Sequence, residues 1–230
     1  MHVVLVTGNA PYLGGHRTWA PLRAAMPDVA FVEIDGLDLP QRANAVDELR
    51  AAIEQRLDGA AAVVAHGMAA GAAIEAVANA DPGIALVLLS PQYFKRTKPS
   101  IQLVQALLRQ RVIQRLLVTV ARSKHRRLLR DPLYVRAQLR TMVRADAALD
   151  TDLVQEAQDR IADPRMLAAT EKIGDTVLAV LRPIDAAAEE KTRNRIVLGE
   201  GTLCSPMLES PGDVAAALRT LLKHIARVDA

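Results

Sequence analysis

A sharp turn between an apolar strand and a helix is the part of the sequence closest to chemistry. Residues 61–74 read A-A-V-V-A-H-G-M-A-A-G-A-A-I, which predicts a strand, a tight turn and the start of a helix. In a turn of this kind, the pattern G-x-S-x-G exposes a serine nucleophile above the sheet. The five corresponding positions are Ala65 to Ala69, with Gly67 at the centre. Because glycine has no side chain, the turn lacks an attacking atom.

A second segment with chemistry-bearing residues lies near the carboxyl end. Residues 199–211 read G-E-G-T-L-C-S-P-M-L-E-S-P and follow a short predicted strand. Cys204 is the single cysteine of the chain, which excludes an internal disulfide and fits a reducing cytoplasm. No base stands next to it in sequence, and a lone cysteine is usually a small buried hydrophobe. We therefore expect Cys204 to line a pocket rather than to attack a substrate.

These residues must be positioned by an alternation of strands and helices. Four predicted strands occupy the first half of the chain, with helical periodicity between them: Val3–Thr7, Val29–Ile34, Ala61–Ala65 and Ile84–Leu89. Such alternation predicts a mostly parallel sheet with helices on both faces.

The strand pattern then gives way to helices before it returns. The predicted helices of this middle segment are Ile101–Val120, Pro132–Val143 and Asp152–Ala162. Two further strands, Thr176–Leu181 and Ile196–Leu198, precede a last helix at Pro211–Val228. We therefore expect a core of residues 1–92 and 171–230, with residues 93–170 inserted as a helical cap.

Charge is distributed unevenly along the chain. The net charge is +3, yet the segment from Tyr93 to Ala145 holds fourteen Lys/Arg residues and one acid, Asp131. Aromatic residues are sparse in it and no recognition motif is present, so a nucleic-acid partner is not expected. Attraction of an acidic ligand or peptide is the functional use that we expect of this basic segment.

Other classes of function are excluded by missing patterns. There is no glycine-rich dinucleotide pattern and no histidine or carboxylate spacing typical of a metal site, so we expect neither cofactor nor metal. No apolar run is long enough to span a bilayer, and no basic-then-apolar leader follows Met1. The sequence therefore predicts a cytoplasmic protein without a membrane partner, of unknown oligomeric state.

The order of elements resembles the α/β-hydrolase superfamily with a helical cap, over nearly the whole chain. In that family a segment like G-x-G-H-S-P-M-L-E-x-P follows the last strand, and its histidine is the general base. Residues Ser205 to Glu209 are retained here, but Cys204 occupies the histidine position. With Gly67 at the serine position, the resemblance implies an α/β-hydrolase fold without the couple that performs acyl transfer.

The third triad position and the oxyanion region follow from the same resemblance. The strand predicted at Thr176–Leu181 would place Asp185 at the acid position, although the segment after it is shorter than the family usually has. Backbone N–H groups at Gly8, Asn9 and Met68 are expected to converge on an oxygen, because backbone donors survive side-chain changes.

Several side chains near the predicted carboxyl ends of strands have two open interpretations each. His66 either packs beside the sheet or takes part in proton transfer. His16 either contacts backbone at a helix start or touches substrate. Tyr12, Gln92 and Tyr93 either pack at the rim under the cap or contact a ligand.

Two hypotheses about function remain from the sequence. The chain is similar to triad-less α/β-hydrolase-fold proteins of peptide natural-product clusters, of the bottromycin peptide-epimerase type. That resemblance implies epimerisation next to a carbonyl or thiazoline, with a carboxylate of the substrate as base. The alternative is a non-catalytic ligand-binding pseudoenzyme or partner protein. Residual hydrolysis that uses Cys204, or water with Asp185, ranks behind both.

Overall fold

A five-stranded parallel sheet runs through the centre of the described part of the chain. The computed structural model describes residues 1–8, 12–40, 45–80, 83–92, 99–143, 149–192, 195–199 and 205–228, with side chains as far as residue 223. The strands are β1 (His2–Thr7), β2 (Phe31–Asp35), β3 (Ala60–His66), β4 (Ala85–Leu89) and β5 (Ile196–Leu198). Their order across the sheet is β2-β1-β3-β4-β5, and every neighbouring pair is parallel.

Helices precede, separate and follow these strands. Those of the sheet-forming part are α1 (His16–Ala25), α2 (Ala45–Glu54) and α3 (Ala69–Ala78). A helical segment between β4 and β5 contains α4 (Pro99–Leu108), α5 (Arg111–Arg130), α6 (Pro132–Arg140), α7 (Thr151–Ala162), α8 (Pro164–Glu171), α9 (Ile173–Val180) and α10 (Ala186–Lys191). After β5 come α11 (Pro206–Glu209) and α12 (Pro211–Val228).

Both faces of the sheet are buried. Leu5 belongs to a buried cluster with Trp19 of α1, whereas the next residue, Val6, belongs to a second cluster with Leu49 and Ile74 of α2 and α3. Successive side chains of a strand point to opposite faces, so a sheet covered twice needs apolar residues at every position. This requirement explains why the strands read as continuous apolar runs, and the predicted α/β class is confirmed.

One predicted helix is two helices in the structure. The expected helix Ile101–Val120 is interrupted at Gln110, whose backbone is extended (φ −75°, ψ 127°) at the start of α5. After the break the second half gains neighbours of its own: Gln105 Nε2 of α4 donates to the carbonyl of Leu181 after α9 at 3.0 Å, while α5 packs on α7 and α8 as well as on α9. Tertiary packing thus overrides a continuous helical pattern.

The prediction of a strand at Thr176–Leu181 is wrong. These residues form the second half of α9 and its C-terminal turn. The β-branched run favours a strand locally, but Thr176 and Ala179 are buried on one helical face, and α9 packs on α2 and α5. Burial of that face decides the outcome.

Helix α7 is anchored to the carboxyl edge of the sheet by charge. The guanidinium of Arg160 makes two hydrogen bonds to the carboxylate of Asp35, which ends β2; their side chains are 7% and 13% exposed. A Cβ on Gly14 would lie 2.6 Å from a guanidinium nitrogen of Arg160. The carboxylate of Glu156 accepts from the backbone N–H of Arg17 at 3.0 and 3.1 Å. A glycine at residue 14 therefore permits the close approach of α7.

We predict that Asp35→Asn lowers the free energy of unfolding by roughly 3–5 kcal/mol, because it removes the negative charge that accepts two hydrogen bonds from the buried guanidinium of Arg160. Asparagine keeps an oxygen that can accept from Leu37 N, as Asp35 does, so the local turn is preserved. The matched control is Asp152→Asn, which breaks the exposed pair with Arg17 and should cost less than about 1 kcal/mol. Urea unfolding measures both; equal small losses would contradict the anchoring role.

Candidate functional site

The turn between β3 and α3 is fixed by strand β4. The backbone N–H of Gly67 donates to the carbonyl of Leu89 at 3.0 Å, and the carbonyl of Gly67 accepts from Gln92 N at 3.0 Å. Gly67 has φ +59°, in the left-handed region that glycine enters without steric cost. The tip of the elbow is therefore held in a left-handed geometry by hydrogen bonds on both sides.

No described residue fills the space in front of the elbow tip. A Cβ placed on Gly67 would meet no described atom within 4 Å. The residue at the serine position therefore presents bare backbone to this space. Nucleophilic attack from this position is impossible for lack of an atom, whereas a substrate group can approach the backbone closely.

The end of β1 lies against the start of α3. A Cβ on Gly8 would be 3.6 Å from Met68 Cβ and 3.8 Å from the backbone nitrogen of Ala69. Gly8 and Met68 are thus brought together, as the sequence led us to expect, while Asn9 lies outside the described residues. Backbone N–H groups in the first turn of a helix lack partners within it and favour negative charge.

His66 and Gln92 flank the elbow in different ways. His66 is the last residue of β3, is buried, and pairs in register with Thr7 and Leu89. Gln92 is half-buried and, with Met68 and Glu75, lines a cavity of about 20 Å³. That volume holds about one water molecule. The cavity leaves no room for a larger ligand in this conformation.

Two serines to which the sequence analysis assigned no role, Ser90 and Ser205, are buried. Ser90 is buried directly after β4 with φ +44°, a left-handed conformation rare for a residue with a side chain, and its N–H donates to Leu198 O at 2.7 Å. Ser205 is fully buried, and its hydroxyl has no partner among the described residues. The only sequence signals were the Ser90-Pro91 boundary and the retained Ser205-Pro206 pair.

Tyr12 is buried beneath the inserted helices. Its hydroxyl has no hydrogen-bond partner among the described residues, and the Lys124 ammonium of α5 lies 5.8 Å from the ring centroid. Burial raises the pKa of Tyr12 to about 12, with a smaller contribution from Tyr134. The phenol is therefore neutral at ordinary pH.

Asp185 lies away from the elbow, and His16 is exposed to solvent. His16 is exposed at the start of α1. Asp185 caps α10 by accepting from Ala187 N at 2.6 Å, and it lines a polar cleft of about 480 Å³ with Asn79. Asn79 follows α3, whereas Gly67 precedes it, and a ten-residue helix is about 15 Å long.

The structure therefore brings together only part of the predicted site. Gly67, Gly8, Met68, His66 and Gln92 meet at the carboxyl end of β3. Asp185 does not follow a strand, because the preceding residues form α9. Tyr93 and Cys204 lie outside the described residues.

Among the residues described, no group of three or more His, Cys, Asp or Glu side chains could hold a metal ion. Within the same residues, no helix combines the length and the apolar character needed to cross a membrane.

Several solved structures are similar to this chain in fold. A variant of the meta-cleavage product hydrolase CumD aligns with 97% of this chain and 91% of its own, at a TM-score of 0.60 and 10% identity. The chain has the α/β-hydrolase fold. A proline iminopeptidase of Mycobacterium smegmatis aligns with 100% of this chain and 91% of its own, at a TM-score of 0.52 and 11% identity.

The α/β-hydrolase fold extends to other similar structures. A bacterial membrane phospholipase A aligns with 97% of this chain and 78% of its own, with a TM-score of 0.54 and 14% identity. No protein-family model and no curated protein matches the sequence. At these identities the likeness establishes architecture, and activity must be argued from the site.

We predict that Gly67→Ala costs about 1–2 kcal/mol of unfolding free energy, entirely from the left-handed backbone. Gly59 is the matched control, because it has φ +68° and a Cβ there would also meet no described atom within 4 Å. Gly59→Ala should cost the same within about 0.5 kcal/mol, measured by urea unfolding. A much larger loss at Gly67 would mean that the space at the elbow is occupied.

We predict that Tyr12→Phe makes the protein more tolerant of alkaline pH. A tyrosine with a pKa near 12 when folded and near 10 when unfolded keeps its proton more tightly in the folded state. Stability is then lost as pH rises from 10 to 12, and phenylalanine removes this loss. Thermal unfolding at several pH values measures it; identical pH profiles would show that the phenol is not buried.

Proposed function

We propose that this chain is a non-hydrolytic enzyme of the α/β-hydrolase fold that epimerises a carbon next to a carbonyl or thiazoline in a modified peptide of natural-product biosynthesis. The observation that carries the proposal is the bare, open tip of the elbow at Gly67. A site without a nucleophile that keeps its turn geometry suits chemistry that stabilises charge on a bound group.

The backbone beside the tip supports stabilisation of an oxygen anion. Gly8 at the end of β1 approaches Met68 and the N–H of Ala69 at the head of α3. Removal of a proton next to a carbonyl moves negative charge onto the carbonyl oxygen. Backbone donors fixed in place stabilise that charge without reorganisation, typically by a factor of about a hundred or more for one donor.

The proposed epimerisation returns the proton that it removes, so it consumes no co-reactant. A carboxylate of the substrate takes the proton from carbon, the C–H electron pair delocalises into the carbonyl, and the proton returns on the opposite face of the carbon. Tyr12, with its pKa raised to about 12 by burial, stays protonated and does not supply the base. Substrate assistance accounts for a site without an evident acid/base pair.

Charge supports an acidic peptide as substrate. The described part of the basic segment includes α4 and α5, which contain no Asp or Glu and seven Lys/Arg residues. A field of one sign attracts a ligand of the opposite sign and raises its association rate.

One observation favours a second candidate, a ligand-binding protein without turnover. The cavity that Met68 and Gln92 line holds only about one water molecule, and neither Gly67 nor Gly8 lines it, so this cavity is not a substrate pocket at the elbow. A protein that has retained the fold but not a catalytic pocket would bind a ligand or partner elsewhere.

The deciding experiment measures hydrogen exchange at carbon. Acidic, thiazoline-containing peptides are incubated in D₂O with the protein, and mass gain at one stereocentre is followed together with chiral analysis. We predict protein-dependent deuterium uptake and no hydrolysis of simple esters. Binding of the peptides without uptake would support the second candidate, and efficient ester hydrolysis would contradict both.

Substitution of Gly8 tests whether the hydrogen exchange at carbon takes place at the elbow. Gly8→Ala places a methyl group 3.8 Å from the backbone nitrogen of Ala69, at an ordinary contact distance. We predict a loss of exchange rate of about a hundredfold with unchanged thermal stability. Gly83→Ala, where a Cβ meets no described atom within 4 Å, is the matched control. Equal rates for both variants would remove Gly8 from the site.

A further inference from the structure

An outward surface on α4 and α5 is apolar although it faces solvent. The large hydrophobic side chains exposed there, which we call the outward face, are Leu103, Val104, Leu107, Val112, Leu116 and Val120. Single exposed apolar residues are ordinary, but a contiguous group marks a site of interaction. The elbow chemistry makes no use of this surface.

The spacing on α5 makes the outward face a stripe. Val112, Leu116 and Val120 recur every four residues and are 73%, 59% and 58% exposed. Residues four apart lie on one side of a helix. The other side of α5 packs on α8 and α9. Helix α5 is therefore apolar both on the side that packs on α8 and α9 and along a stripe that faces solvent.

Positive charge borders the stripe. Residues 99–130 contain eight Lys/Arg residues and no Asp or Glu. The side chains of Arg115 and Arg126 are exposed beside the apolar residues. Arg122 has an acidic partner, Glu171 of α8. The outward face thus combines aliphatic side chains with an excess of cationic groups.

This composition selects among the possible occupants. A second copy of the same face would bring two cationic surfaces together, which opposes association. Protein interfaces depend mainly on aromatic side chains, Met and Arg, whereas Leu and Val seldom provide the main binding energy. An acidic soluble peptide has no need of an aliphatic stripe. Aliphatic side chains flanked by bases are typical of helices that lie in the surface of an anionic bilayer.

We propose that the outward face of α4 and α5 binds the surface of an anionic lipid bilayer. Leu103, Leu116 and their neighbours enter the boundary between headgroups and acyl chains, and the flanking arginines meet lipid phosphates. The expectation of no membrane partner rested on the absence of a spanning segment. A helix that lies in the membrane surface does not need one.

The test is co-sedimentation of the whole chain with vesicles. One set contains phosphatidylcholine and phosphatidylserine in equal parts, and the other contains phosphatidylcholine alone. We expect binding to the anionic vesicles only, weakened by added salt because the cationic attraction is screened. No binding to anionic vesicles would overturn the proposal.

Two variants separate the apolar and the charged contributions. The triple variant V112S/L116S/V120S removes the stripe, and we expect it to lower vesicle affinity at least about tenfold. R115Q/R126Q removes two charges, with an expected loss of about fivefold for each. The controls are Leu133→Ser, which changes an exposed leucine on α6, and Arg56→Gln, which changes an exposed arginine beyond α2. Circular dichroism establishes that all variants are folded.

The remaining outcomes decide against the lipid. If the triple variant and the two controls bind anionic vesicles equally, the attraction is general and the outward face is not its site. If the wild type instead self-associates in sedimentation velocity, and the triple variant does not, the occupant is a second copy. Both results would overturn the proposal, and neither depends on the chemistry proposed for the elbow.

Discussion

The rest of the site depends on two hydrogen bonds, one from the N–H and one to the carbonyl of Gly67, that hold the elbow turn in place. They tie the turn after β3 to the end of β4, through Leu89 and Gln92. With the turn held at φ +59°, the first residues of α3 are placed against Gly8 at the end of β1. The carboxyl ends of three adjacent strands thus meet at one point, which is where open parallel sheets place ligands.

A second left-handed residue lies next to this point. Ser90 follows β4 directly, with φ +44° and a short hydrogen bond from its N–H to Leu198. Such a conformation persists for a residue with a side chain only when the surroundings enforce it. Gly67 is hydrogen-bonded to Leu89 at the end of β4, and Ser90 is the next residue and is hydrogen-bonded to β5. The backbone at the end of β4 is therefore constrained from both neighbouring strands. Gly67 provides no side-chain nucleophile, and the backbone around it is constrained.

The parts of the fold that follow from local pattern could be predicted from the sequence. Continuous apolar runs defined the strands because both faces of the sheet are covered, and the elbow was recognisable because strand, turn and helix are contiguous. Helix α9 could not be predicted in the same way. Its β-branched residues favour a strand, and only packing against α2 and α5 makes the segment helical. Asp185 was predicted to follow that strand, and in the structure it follows α9 instead.

Other features of the site depend on contacts between distant segments. The burial of Tyr12 results from helices more than a hundred residues away, and no local pattern gives its unpartnered hydroxyl. The left-handed backbone of Ser90 likewise depends on β5, which pairs with β4 across the inserted helices. The identity of the residues at the elbow was available from sequence, whereas their electrostatic surroundings were not.

The buried pair of Arg160 and Asp35 fixes where the helical segment lies on the sheet. This pair, with Arg165 and Asp38 nearby, holds α7 and α8 at the β2 side of the sheet. Separation of a buried pair costs about 3–5 kcal/mol, so α7 and the end of β2 behave as one unit.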